Sequence, residues 1–261
     1  LQQALSKTGY FQKVSVTPLN PTPGSLEVPI NIQLQMARSR IYRAGIGYGT
    51  DTGPRFTVGA AYKRLHSHGH QLNLALRTSQ FSNGALAEYK IPAQHPDTSF
   101  YTIAAGYDQE NIATGNSQSQ KIEGGYTTLL WGWRQKLKLS LLQERYNLTD
   151  TPTINSNMLV PSIEWARRRA NNNIRPSQGY RVMVRLSGAS RAIASRSSFA
   201  QAYMDSRLLL SAFNNNSRLF FRGQLGYTLI DDITQLPLSL QLLAGGSQSI
   251  RGYDFNSIGP G

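Results

Sequence analysis

Cysteine is absent from the 261 residues, so neither a disulfide framework nor a thiolate metal site is available to this chain. No apolar run reaches the ~18 residues that a transmembrane helix requires. The nearest is LPLSLQLLAGG at 236–246, which excludes a helical membrane protein. Charge is scarce at 16% of residues, and it leans one way: 27 Lys and Arg stand against 14 Asp and Glu, a formal net charge of +13. The opening LQQALSKTGYF has neither a basic n-region nor a small-residue cleavage site, so residue 1 is not expected to be the natural start of an exported protein.

Glycine and tyrosine are plentiful, at 23 and 13 residues. With a mean hydropathy of -0.37, they describe a chain that is polar without being highly charged. Large antiparallel sheets with one wet face have this mixture. From about residue 39 onward the pattern has period two. In SRLFFRGQLGYT (217–228), Leu219, Phe221, Leu225 and Tyr227 share one face, while Arg218, Arg222, Gln224 and Thr228 share the other. RQKLKLSLL (134–142) sets Leu137, Leu139 and Leu141 against Arg134, Lys136, Lys138 and Ser140. YRVMVRLS and QLNLALR repeat the arrangement, with Arg181, Arg185, Asn73 and Arg77 on the polar face. Turn chemistry in TDTGP, HSHGH, SNG, TGNSQS, TDTPTINSN, NNNIRPSQG and FNNNS separates about eleven strands up to residue 230.

This alternation gives the excess positive charge a place. Most of the basic residues project from the polar face, so +13 marks a charged interior rather than a nucleic-acid surface. Several strands reach the length of a tilted bilayer crossing. Tyr42, Tyr48, Tyr62, Tyr101, Tyr107, Trp131, Trp133, Trp165 and Tyr227 stand near strand ends, as in an interfacial girdle. A soluble sandwich with ordinary strand aromatics is the competing arrangement. Since lipid satisfies no open sheet edge, a membrane sheet has to close. An odd number of strands with the last pattern broken off therefore predicts part of a larger transmembrane antiparallel β-barrel, a mostly β fold.

Residues 1–36 differ. LQQALSKTG spaces Leu1 and Leu5 as a helix that stops at Gly9; YFQKVSVTPL alternates, NPTPGS turns and LEVPINIQLQ (26–35) alternates again. A helix and a hairpin are too small to hold a core of their own.

Here the residues carry a family resemblance. The helix, TGYFQKVSV and the next strand resemble the C-terminal part of an α/β POTRA domain, the periplasmic repeat of the outer-membrane assembly-factor (BamA) superfamily. GYGTDTGPRFTVGAAYKRLHSHGHQL (47–72) looks like the opening hairpin of the TamA family, the barrel subunits of the translocation and assembly module. AGGSQSIRGYDFNSIGP (244–260) resembles the superfamily's lid-loop motif, carried by Gly245, Gly246, Ser249, Ile250, Arg251, Gly252 and Tyr253. The resemblance implies a POTRA part at 1–36 and a barrel part at 39–261, with about eleven of a presumed sixteen strands present and the chain ending inside the lid loop, 231–261. It implies a Gram-negative outer-membrane location with the POTRA end in the periplasm. It also implies a non-enzymatic role without cofactor: assembling β-barrel substrates such as autotransporters, with a TamB-like periplasmic partner, unfolded β-barrel substrates and outer-membrane lipids as its contacts, and no nucleic acid. Arg251 is expected to fold inward and reach acidic and aromatic wall residues.

YRAGIGYGT supplies an element for such a role. Tyr42, Ala44, Ile46 and Tyr48 point outward, while Arg43, Gly45, Gly47 and Gly49 point inward. Glycine weakens a strand and leaves its register loosely fixed. Either this first barrel strand is one side of a lateral gate, or its glycines relieve crowding at a sharp bend. Other functions remain as rivals: a passive porin or channel with a basic lumen, and a two-partner secretion transporter. His66, His68 and His70 admit a metal reading, but their setting between two strand patterns favours a polar turn. No Ser-His-acid group or opposed carboxylate pair stands out, since Asp231 and Asp232 are adjacent.

Overall fold

The computed structural model describes residues 2–20, 28–49, 53–112, 114–148, 152–172, 175–212, 217–246, 249 and 256–259. The N-terminal unit is a six-residue helix α1 (Gln2–Lys7), stopped at Gly9 with φ 76°, followed by β1 (Phe11–Pro18) and β2 (Ile30–Met36) paired antiparallel. The turn expected at NPTPGS lies mostly outside the described residues. Of this unit's apolar residues Val14 is buried, while Ile30, Ile32, Leu34 and Met36 stay exposed.

The remaining strands are β3 (Arg40–Gly49), β4 (Gly53–Tyr62), β5 (Gln71–Ser79), β6 (Ser82–Pro92), β7 (Phe100–Ile112), β8 (Gly115–Leu130), β9 (Trp133–Leu148), β10 (Ile154–Ala170), β11 (Gly179–Ala189), β12 (Phe199–Ala212) and β13 (Ser217–Leu229). They form one eleven-stranded antiparallel meander in which each strand pairs with its sequence neighbours. The sheet is open, with β3 and β13 as its edges among the described residues. The β8–β9 connection is the tight pair Trp131–Gly132, both with positive φ (49° and 76°), as a two-residue turn between right-twisted strands demands.

Several strands are longer at one end than their turn chemistry predicts. Gly53, Ser82–Gly84, Gly115–Ser119 and Ile154–Asn157 read as loop but lie in β4, β6, β8 and β10. For β8 and β10 the reason is burial: Ser117, Ser119 and Ser156 are buried on the side of the sheet that the segment after β13 covers, which supplies the packing that their own side chains lack.

That segment also fixes which face is inside. Residues 230–246 fold back over Glu144, Tyr146, Gln201 and the apolar cluster of Leu142, Met158, Val160 and Phe199. Register carries the assignment across the sheet. Arg134, Lys136, Lys138, Arg181, Arg185, Arg218 and Arg222 then face inward, as the alternation predicts, and all nine girdle aromatics take outward or turn positions. Inward acids partly answer the basic residues: Glu123 lies 3.1 Å from Lys138, Glu164 3.4 Å from Lys136, and Asp205 3.3 Å from Arg207. The interior is not uniformly wet, because the most deeply buried apolar residues belong to its contact with the inward segment.

Candidate functional site: the first-strand edge and the inward lid

Among the described residues β3 pairs along one edge only, Arg40 with Tyr62 through Gly49 with Gly53. Its outward row is strongly exposed, with Ile46 at 88% and Tyr48 at 74%. Tyr42 packs edge-on against Tyr62 with ring centres 6.5 Å apart. On the inward row, a Cβ at Gly45 would lie 3.0 Å from Thr57 Oγ1, and one at Gly47 would lie 3.0 Å from Arg55 Nε. β4 side chains therefore lie across the backbone of the first strand. These glycines make room for them, so the crowding account of the sequence has a physical basis here. The weak-register account is compatible with it, since the same positions carry no side chain to fix the strand.

The lid begins at Asp232, which caps a short 3-10 turn. Its Oδ1 accepts from Thr234 N at 2.9 Å and Thr234 Oγ1 at 2.7 Å, and Oδ2 accepts from Gln235 at 3.2 Å. The Thr234 hydroxyl and then its backbone N–H hold the Asp232 carboxyl below the usual carboxylate range. Leu236 and Leu238 follow, 0% and 2% exposed. Leu236 joins the Leu142, Met158, Val160 and Phe199 cluster, and Leu238 packs with Ile112 and Tyr146.

Polar side chains of the wall then hold the lid backbone. Tyr146 donates to Thr234 O at 2.8 Å, Ser197 to Gln235 O at 3.2 Å and Gln201 to Leu240 O at 2.9 Å. Glu144, 1% exposed, accepts from Ser117 Oγ at 2.7 Å, from Ser239 N at 3.1 Å and from the Ser239 hydroxyl. The returning limb closes the loop: Ala244 and Ile258 exchange backbone bonds of 2.8 and 2.9 Å, and Thr114 donates to Asn256 O at 3.2 Å. A Cβ at Gly226 of β13 would lie 2.2 Å from Leu242 Cδ1, so that glycine lets the lid approach the wall. Between lid and wall remains a cavity of about 330 Å³ lined by Arg77, Asp108, Glu110, Lys121, Ser239 and Asn256 among others.

Of the expected lid motif, Gly245 and Gly246 take positive φ (119° and 90°), and Ser249 N bonds Gly246 O at 3.1 Å. Ile250, Arg251, Gly252 and Tyr253 lie outside the described residues. The structure thus brings Gly245, Gly246 and Ser249 to the inner side of the sheet and places Tyr42–Gly49 at its edge. The wall residues Glu144, Tyr146 and Gln201 were not singled out in the sequence. Their signal was faint: Glu144 is the one acid on the inward row of β9. His66, His68 and His70 form the β4–β5 turn, with ring centres 5.6–6.3 Å apart, and Tyr10 of the N-terminal unit donates to Gly69 O at 2.7 Å there.

The profile of the Omp85 superfamily domain matches residues 48–261. Among solved structures, the chain is similar to BamA from Haemophilus ducreyi lacking POTRA domains 1-3, with a TM-score of 0.77 and 17% identity over 99% of this chain and 54% of that one. It is also similar to CdiB from Acinetobacter baumannii, with a TM-score of 0.63 and 12% identity over 98% of this chain and 50% of the other. At such identities the likeness is one of fold, and the chain spans about half the length of either structure.

Proposed function

The chain belongs to the Omp85 superfamily, and from that premise we propose that it is part of an outer-membrane factor of a Gram-negative bacterium that assembles or transports other outer-membrane proteins, working at the unpaired edge of β3. The observation that carries this reading is the pairing of an edge strand with an inward lid. Among the described residues β3 pairs on one side only and bears an apolar outward row; an edge left open in this way templates an incoming strand. The lid occupies the interior side of the same sheet, so an incoming strand has an edge to add to while the lumen stays obstructed.

The TamA-like form of the proposal rests on the opening hairpin and the Ile250–Tyr253 motif. In it, residues 1–36 are the end of a POTRA domain facing the periplasm. The substrates are unfolded β-barrel proteins such as autotransporters, and a TamB-like protein is the periplasmic partner. The role is non-catalytic and needs no cofactor. A two-partner secretion transporter is the runner-up within the superfamily, and a passive channel is disfavoured by the dry lid seat at Leu236 and Leu238.

The test uses the full-length protein. Ile46→Cys is joined by a disulfide to a cysteine on the last barrel strand, and insertion of an autotransporter barrel is followed with and without reductant. Assembly blocked in the locked form and restored by reduction is expected. Unimpaired assembly through the locked seam would overturn the gate.

A further inference from the structure

The outward row of β10 reads Leu159, Pro161, Ile163 and Trp165, and then turns abruptly to Arg167 and Arg169. All three tryptophans of the 261 residues gather around this change. Trp131 is 88% exposed in the β8–β9 turn, Trp133 opens β9, and Trp165 stands opposite Gln135 in the ladder. The Arg167 guanidinium carbon lies 5.7 Å from the centre of the Trp133 ring. Tyr180 of β11 stands opposite Arg169. The patch sits at the end of the sheet that carries the N-terminal unit, where Tyr10 meets the β4–β5 turn.

No acid answers these two cations. The acids of β9–β11 are Glu144 and Glu164, both on the inward row, and among the described residues neither Arg167 nor Arg169 has an ion-pair partner. Nor do strands joining the open edges reach the patch, because β10 lies three strands in from β13 and seven from β3. What faces it is the bilayer, at the depth where indole rings settle among headgroups. A guanidinium fork matches phosphate geometry and remains charged at any working pH. Two such forks with no nearby carboxylate accept a net negative headgroup and oppose one that carries its own cation.

We propose that Arg167 and Arg169, framed by Trp131, Trp133 and Trp165, seat the phosphate of one anionic phospholipid on the outer wall of the barrel. The proposal rests on reading the sheet as an outer-membrane wall, but not on what the protein assembles.

The experiment takes the full-length protein in mixed micelles with equal amounts of phosphatidylglycerol and phosphatidylcholine, and counts retained lipid by native mass spectrometry. Retention of phosphatidylglycerol over phosphatidylcholine is expected. The Arg167→Gln/Arg169→Gln variant should lower it about thirtyfold, each arginine near an anionic surface contributing about fivefold. Arg145→Gln, outward at the opposite end of β9, should leave it unchanged. Arg169→Gln alone, which spares the stack on Trp133, should lower retention about fivefold and serves if the double variant does not fold. Equal retention of the two lipids, or no response to these variants, overturns the proposal. So does inorganic phosphate binding as tightly as the lipid, because the site would then read phosphate without the membrane. Lipid retention by a protein that fails to assemble substrates would leave this site standing and remove the functional reading.

Discussion

Replacing Leu236 by alanine probes the lid seat most directly. Leu236 is fully buried among Leu142, Met158, Val160 and Phe199, yet it belongs to no ladder of the sheet. Truncating a buried leucine costs about 2–5 kcal/mol, the spread reflecting how far the site collapses. The neighbours here sit on stiff strands, β9, β10 and β12, so collapse is limited and the upper half of that range applies. Because the side chain contacts the wall only while the lid is docked, nearly all of the loss falls on docking. The ratio of docked to undocked lid should drop by about four hundredfold at the least and by several thousandfold at the most. Amide hydrogen exchange in the full-length protein measures this ratio, since protection of a locally opening segment follows its opening free energy. The bonds from Leu236 N to Ile233 O and from Gln241 N to Leu238 O should lose protection by that factor, while the β9–β10 ladder keeps its own. Leu240→Ala, at a half-buried position beside the same cluster, should give a smaller effect. Unchanged lid exchange, or an equal loss throughout β9 and β10, would refute the view that the lid docks as a separate unit on a preformed wall.

Two further predictions concern the ends of the sheet. Gly69 has φ 75°, and a Cβ there would lie 2.4 Å from the Tyr10 hydroxyl, so Gly69→Ala should strain the turn by about 1–2 kcal/mol and release the N-terminal unit from the barrel, seen as a broadened distance distribution between spin labels on β1 and β4. Asp232 titrates with its folded carboxyl held low, mainly by the Thr234 hydroxyl. Its contribution is therefore fully present above the ordinary carboxylate pKa and is lost as pH falls through the lowered folded value. Lid exchange should quicken across that acidic window in the parent protein, and Asp232→Asn should remove this component; an unaltered pH profile in the variant would show that the cap does not hold the lid.

The strands and their two faces were legible because alternation survives wherever one face meets hydrocarbon. Leu137, Leu139 and Leu141 against Lys136, Lys138 and Ser140 needed no further information. The polar ends of β6, β8 and β10 were not legible, since Ser82–Gly84, Gly115–Ser119 and Ile154–Asn157 have the composition of turns. In β8 and β10 they are strand at the buried Ser117, Ser119 and Ser156, beneath a distant segment, and nothing local in TGNSQS or TDTPTINSN reports that. The same holds for the lid seat. LPLSLQLLAGG was visible as an apolar run too short to span a bilayer, but its destination depends on Leu142, Met158 and Phe199, which lie on three separate strands. Glu144 was hidden for another reason: its three donors come from Ser117 and from Ser239, 27 and 95 residues away. The first-strand glycines were read correctly as inward. Only the structure showed that Thr57 and Arg55 occupy the space they leave.

The lid and the first strand load different parts of the sheet. Near the edge, β3, β4, β5 and β6 have 10, 10, 9 and 11 residues, whereas β8, β9 and β10 have 16, 16 and 17. A shorter strand offers fewer ladder bonds to resist bending or separation, so the sheet is most compliant beside β3. The described side-chain bonds that hold the 3-10 turns of the lid start from Glu144, Tyr146, Ser197, Gln201 and Arg191, all on β9, β12 or the β11–β12 loop. None starts from β3–β6. Among the described residues, movement of the first strand therefore strains none of these anchors, as the proposed lateral opening requires. On the proposed reading, a barrel arranged in this way would admit a strand laterally while its lumen remains obstructed, a combination that a single rigid wall does not offer.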